Sequence, residues 1–184
     1  MIHNTIRTRR AVFPPQYNDE KVTKEEIQQI LEAANWAPTH RRTEPWRFKV
    51  MQGDVQLRFG EFLAERYKTT ASNFSEFKYK KYQNNPKNAA AIIAICMQRD
   101  PSEAIPEWEE IAATAMAVQN MWLTAHEMNI GAYWSSPQVI DSMSEFFEMN
   151  EGERCLGFFY LGKYDETLPD GVRKTTISEK TVWL

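Results

Sequence analysis

Three short stretches carry residue types that could do chemistry. Arg7, Arg9 and Arg10 form a basic cluster just ahead of Pro14-Pro15. Guanidinium groups bind a phosphate dianion in a bidentate way, and a terminal monophosphate takes two or three such donors. In the loop 37–46, Pro38 and Pro45 fix the backbone while His40, Thr43 and Glu44 project polar groups beside Trp36 and Trp46. A rigid loop of that kind could line a site for a flat aromatic ligand. In 131–137, Tyr133 and Trp134 precede the hydroxyls of Ser135 and Ser136. Taken singly, each stretch also fits an ordinary role: a solvated basic segment, a surface histidine, and a core strand leaving its sheet. No Ser-His-Asp or Cys-His pair occurs in a recognisable context, so no catalytic side chain is assigned.

The elements that would position these groups follow from patterning. With 184 residues, 42% hydrophobic and 26% charged, the chain can bury one sizeable core, and one domain over 1–184 is expected. The formal charge of −3 offers no excess positive potential, which argues against nucleic-acid partners. The longest apolar run, 89–97, is half of what a membrane-spanning helix needs, and the N-terminal stretch lacks a leader's apolar core. A cytoplasmic protein with no membrane partner is therefore expected, with Cys96 and Cys155 as buried reduced thiols.

Thr23 and Glu26 make a capping box, and Val22 with Ile27 makes the matching staple. Ile27, Ile30, Leu31 and Ala34 continue as one apolar stripe that ends before Pro38. Trp46, Phe48 and Val50 alternate with polar neighbours, predicting a strand with one buried face. Residues 55–82 predict two amphipathic helices broken near 71–73, and 89–97 a strand buried on both faces. The segment 107–128 is apolar or small on nearly all sides, so it predicts a helix inside the molecule. A short strand at 132–134, a short helix at 141–149 and a buried strand at 155–161 complete the pattern. The tail ends in Val182-Trp183-Leu184, which is too apolar to be left in water.

In this order and at these distances, Arg9-Arg10-Ala11-Val12-Phe13, the loop 37–46 and the stretch 131–137 resemble the FMN-dependent nitroreductase family. Arg173-Lys174 followed by Val182-Trp183-Leu184 resembles that family's ending. The likeness spans nearly the whole chain and is strongest to the small single-domain members of the YdjA-like type. It implies an α+β fold: a mixed, mainly antiparallel sheet wrapped by helices, in a homodimer whose C-terminal strand is exchanged. The implied cofactor is FMN, shared between subunits, with NAD(P)H as co-substrate. The implied reaction is ping-pong transfer of reducing equivalents to an organic acceptor such as a nitroaromatic or a quinone.

By position, the resemblance assigns Arg9, Arg10, Arg173 and Lys174 to the phosphate. Ala11 stands where a Ser is usual and leaves only its backbone N–H. His40, with Trp36 close by, matches a loop that approaches the flavin from the partner chain. Thr43 and Glu44 match a flavin- or ribityl-contacting segment, with Glu44 in place of Gln. Trp134, Ser135 and Ser136 match the strand end beside the isoalloxazine. Phe13 replaces the cation that faces flavin N1 and O2 in many members, leaving Arg10, Arg41 or Arg42 for that task. Glu44 would call for an arginine partner. Two other readings stay open from sequence: a non-catalytic flavin carrier or sensor, and an interaction module with no cofactor.

Overall fold

The computed structural model describes residues 2–184. Four strands, β1 (Trp46–Met51), β2 (Ala91–Gln98), β3 (Ile130–Ser135) and β4 (Glu153–Lys163), form one sheet in the order β1-β2-β4-β3. Each pairing is antiparallel. Five α-helices accompany them: α1 (Ile2–Thr8), α2 (Lys24–Ala34), α3 (Asp54–Thr70), α4 (Glu76–Asn88) and α5 (Glu107–Glu127). The expected α+β architecture is present.

β2 explains the layering. Its side chains alternate between faces, and both faces are buried. Ala91, Ile93 and Ile95 pack with Phe159 and Leu161 of β4 against α2 and α5. Ile92, Ala94 and Cys96 pack with Phe158 and Tyr160 against Phe59 and Leu63 of α3. The sheet is thus sandwiched between helices.

α2 begins as its sequence requires. Thr23 Oγ1 accepts from Glu26 N at 3.2 Å, and Glu26 Oε2 accepts from Thr23 N at 2.8 Å. Val22 and Ile27 are both buried. The helix stops at Ala34, and Asn35 and Trp36 turn the chain toward the loop.

Several expectations are corrected. β1 is not one-faced: Met51, on the face expected to point outward, is buried in the α3-side cluster, while Val50, expected inside, is 42% exposed on this edge strand. Residues 141–149 are not an α-helix; 3-10 turns run over Gln138–Glu145, where Asp141, Ser142 and Ser144 favour local turns. α5 is covered on one side only in a single chain. Glu110, Ala113, Ala117, Met121 and Ala125 are buried, whereas Trp108 and Met116 face outward. α1 has no counterpart in the sequence reading. It lacks an apolar stripe and is held through α5, with Thr5 Oγ1 donating to Glu127 Oε1 at 2.5 Å and Thr8 Oγ1 2.9 Å from His126 Nε2.

Candidate functional site

The N-terminal segment is laid along the open edge of β3. Val12 N donates to Ala132 O at 3.1 Å, and Tyr17 Oη donates to Val12 O at 2.8 Å. This anchoring places Arg9 and Arg10 beside the C-terminal end of α5. The Arg9 guanidinium lies 4.3 Å from the centroid of Trp122, an indole that itself meets Phe159 edge-on at 5.6 Å. Stacking of this sort holds a guanidinium plane without neutralising it.

The C-terminal segment arrives at the same place. Arg10 Nε donates to Pro169 O at 3.1 Å, and its Nη1 donates to the carbonyls of Arg7 and Arg9. A Cβ on Gly171 would sit 2.5 Å from Arg10 Cζ, so the two segments touch. Burial holds the Arg9 guanidinium below its usual range, and the charges of Arg173 and Arg10 push it further the same way. Among the described residues, none of Arg9, Arg10, Arg173 and Lys174 pairs with a carboxylate. His126 feels the same field: burial lowers it, Glu127 opposes this, and Arg9 and Arg10 lower it further. The Trp122 Nε1–H is buried without a partner among the described residues. Ala11 is exposed, and its N–H is likewise free there. Mutually repelling cations with spare donors make a receptor for an anion.

The third stretch divides. Trp134 turns toward the α5 side, where its Nε1 donates to Leu156 O at 3.2 Å. It fits only because Gly157 has φ +147° and no side chain, since a Cβ there would lie 2.2 Å from Trp134 Nε1. Ser135 and Ser136 lie on the other side and line a cleft of about 620 Å3 with Phe13, Tyr82 and Tyr133. The Phe13 and Tyr133 rings are 4.9 Å apart.

The loop stretch lies elsewhere. His40 Nδ1 is 2.5 Å from Glu109 Oε2 near the start of α5. The contact with the Glu109 carboxylate fixes the orientation of the imidazole ring, whose side chain is otherwise 56% exposed. Thr43 Oγ1 is 3.1 Å from Thr39 Oγ1, and Glu44 N donates to Thr39 Oγ1. Arg41, Arg42 and Glu44 all adopt positive φ, at 50°, 57° and 43°. Trp36 is 78% exposed, with Nε1 donating to Glu32. The arginine partner expected for Glu44 is not found among the described residues; its carboxylate stays in solvent.

Within one chain, therefore, Arg9, Arg10 and Arg173 meet. Ser135 and Ser136 stand on an adjoining cleft, and His40, with Thr43 and Glu44, sits at the far end of α5, whereas the N–H of Trp36 shares the Ala33 carbonyl with Asn120 Nδ2, closer to Trp122. From Glu109 to Trp122 the helix rises roughly 20 Å at about 1.5 Å per residue. Lys174 is exposed beyond Arg173. Three supports escaped the sequence reading, namely Trp122 under Arg9, Glu109 behind His40 and Gly157 under Trp134. Both Trp122 and Glu109 lie in the segment 107–128, whose composition predicts only a helix, and nothing local marks either as a support.

Comparison with known proteins gives this arrangement a family. A family model described as the Nitroreductase family matches residues 6–163. The chain is 30% identical over 142 residues to Escherichia coli YdjA, provisionally named an NAD(P)H nitroreductase, covering 76% of each chain. It superposes with a TM-score of 0.83 on the crystal structure of a nitroreductase-like family protein from Bacillus cereus, at 28% identity, covering 100% of this chain and 96% of that one. A protein from Desulfovibrio desulfuricans provisionally named a nitroreductase, solved in complex with FMN, gives a TM-score of 0.75 at 23% identity, with coverage of 100% and 96%. On the strength of the model match over most of its length, the chain belongs to the nitroreductase family.

Proposed function

We propose that this chain is an FMN-dependent oxidoreductase that passes reducing equivalents from NAD(P)H to an organic acceptor such as a nitroaromatic or a quinone, in a ping-pong cycle. The carrying observation is the convergence of Arg9, Arg10 and Arg173 without a carboxylate partner among the described residues. A phosphate monoester balances that charge, and YdjA's naming and the FMN complex of the Desulfovibrio relative support the same reading.

The site works as a single-domain, cytoplasmic homodimer. One chain's loop and its own arginines lie at opposite ends of α5, so a ligand touching both draws them from two copies. A two-fold pairing that sets α5 helices head to tail brings the second copy's loop beside the first copy's arginines. The outward Trp108 and Met116 and the exposed Val182, Trp183 and Leu184 suit such burial. In this assembly the C-terminal segment adds a strand to the partner's sheet.

When bound, FMN supplies hydride acceptance and donation at its ring. The protein's residues place it. Arg9, Arg10, Arg173 and Lys174 hold the phosphate, with Trp122 keeping Arg9 flat. Ser135 and Ser136 would offer hydroxyls to the cofactor from their cleft, while Trp134 packs on the opposite face of the sheet. His40, oriented by its contact with Glu109, would offer a ring nitrogen to the cofactor, and Trp36, Thr43 and Glu44 would border the same opening. With Phe13 in place of a cation, Arg10, Arg41 or Arg42, helped by backbone N–H groups, would have to supply the charge that favours the reduced cofactor.

The purified protein is expected to be yellow and to bleach with NADH or NADPH, then recover colour with a quinone or nitroaromatic. Colourless protein that takes up no added FMN overturns the proposal. A yellow protein with no turnover for any acceptor would be a carrier or sensor instead.

A further inference from the structure

A buried polar cluster lies on the opposite side of the sheet from the arginines. Cys96 of β2 and Cys155 of β4 are direct cross-strand partners, beside a register shift between Ile95 and Cys96. Their side chains enter the same core cluster, on the α3 face. Opposed residues of an antiparallel pair have Cα atoms about 4.5–5.5 Å apart, inside the range a disulfide spans. Both thiols are free.

Their surroundings are charged. Lys49 Nζ lies 2.5 Å from Glu153 Oε1, and the Glu153 side chain is only 1% exposed. Glu153 also accepts from Asn150 N and Nδ2. The two sulfurs are thereby made unequal. The facing Cys96 thiol holds the Cys155 thiol low against its burial, with help from Lys49, while the same proximity and burial push Cys96 up. Access is unequal too. Cys96 is fully buried, whereas Cys155 is 7% exposed and lines a cleft of about 400 Å3 with Met143, Ser144, Met149 and Arg154.

We propose that Cys96 and Cys155 form a peroxide-sensitive dithiol, in which Cys155 is oxidised first and Cys96 resolves it into a cross-strand disulfide. In the first step the Cys155 thiolate attacks one oxygen of a hydroperoxide, the O–O bond breaks, and the other oxygen leaves as water or an alcohol after taking up a proton. Cys155 is then a sulfenic acid. In the second step Cys96 sulfur attacks Cys155 sulfur, the S–O bond breaks, and water leaves with the Cys96 proton. Two thiols lose two electrons in total, and one peroxide gains them. A dithiol thiol is a substrate here only because the partner sulfur is already in place across the ladder.

The test uses the purified full-length protein treated with hydrogen peroxide, then alkylated. Both thiols should disappear together, the intact mass should fall by two hydrogens, and one disulfide-linked peptide pair should join Cys96 to Cys155, all reversed by dithiothreitol. In Cys96→Ser, Cys155 should instead accumulate a sulfenic acid that dimedone traps. In Cys155→Ser, Cys96 should oxidise at least about tenfold more slowly, as a buried thiol without an exposed partner does. Sulfinic acid at Cys155 with Cys96 still free, a disulfide joining two molecules, or thiols that react only after unfolding would each overturn the proposal. Cys→Ala versions of both variants guard against a folding defect caused by a buried hydroxyl.

Discussion

Replacing Arg173 by alanine should weaken FMN binding while leaving the ligand-free protein intact or slightly more stable. In the free chain the Arg173 side chain donates only to its neighbour's carbonyl, Val172 O at 3.2 Å, and pairs with no carboxylate. Its charge instead works against Arg9. Removal therefore breaks no ion pair and relieves repulsion. In the complex, the phosphate loses one charge-assisted partner. At an exposed position this is worth roughly 1 to 1.5 kcal/mol, or roughly a five- to twelvefold rise in Kd. The measurement is fluorescence titration of cofactor-free protein with FMN and, in parallel, with riboflavin, which lacks the phosphate. FMN affinity should fall by that factor and riboflavin affinity should stay put, with the gap narrowing at high salt. An equal loss for both ligands, or a lower Tm for the cofactor-free variant, would refute the reasoning.

Gly157→Ala should destabilise the fold by on the order of 3 kcal/mol, since it combines an unfavourable backbone conformation with overpacking against Trp134. A urea midpoint and the near-ultraviolet signal of the tryptophans report this; a midpoint close to that of the parent protein would contradict the close packing described. Burial pushes the Glu26 carboxyl up, but hydrogen bonds from Lys163, at 2.6 Å, and Thr23, with the Lys163 charge, bring it below its usual 4.5. A lowered folded value gives stability that is complete above pH 4.5 and lost as pH falls through the lower folded value. Glu26→Gln keeps an acceptor for Thr23 N and should flatten that acid limb, so superimposable pH profiles for the two proteins would count against the pair.

Legibility in the sequence tracked the range of the interactions involved. The capping box of α2 and the apolar run of β2 depend on near neighbours, and both stand as read. α1 does not, because its stability comes from Glu127 and His126, more than a hundred residues away. The burial of β1 misled for a related reason: alternation marks one covered face, and here Met51 meets a second layer. For the site, the arginine cluster was visible as a composition anomaly, but its meeting with Gly171 and Arg173 rested on resemblance alone. Glu44 was expected to need an arginine and lies in solvent instead. The pairing of Cys96 with Cys155 depends on the register of β2 against β4, which no local pattern encodes.

The loop at His40–Arg42 carries a consequence of its own. Arg41, Arg42 and Glu44 each hold a left-handed backbone that costs a branched or long side chain on the order of 1 kcal/mol, and no glycine or asparagine relieves any of them. Glycine or asparagine at any of the three would remove that cost, so the bend is a reserve of heat tolerance that the residues present leave unused.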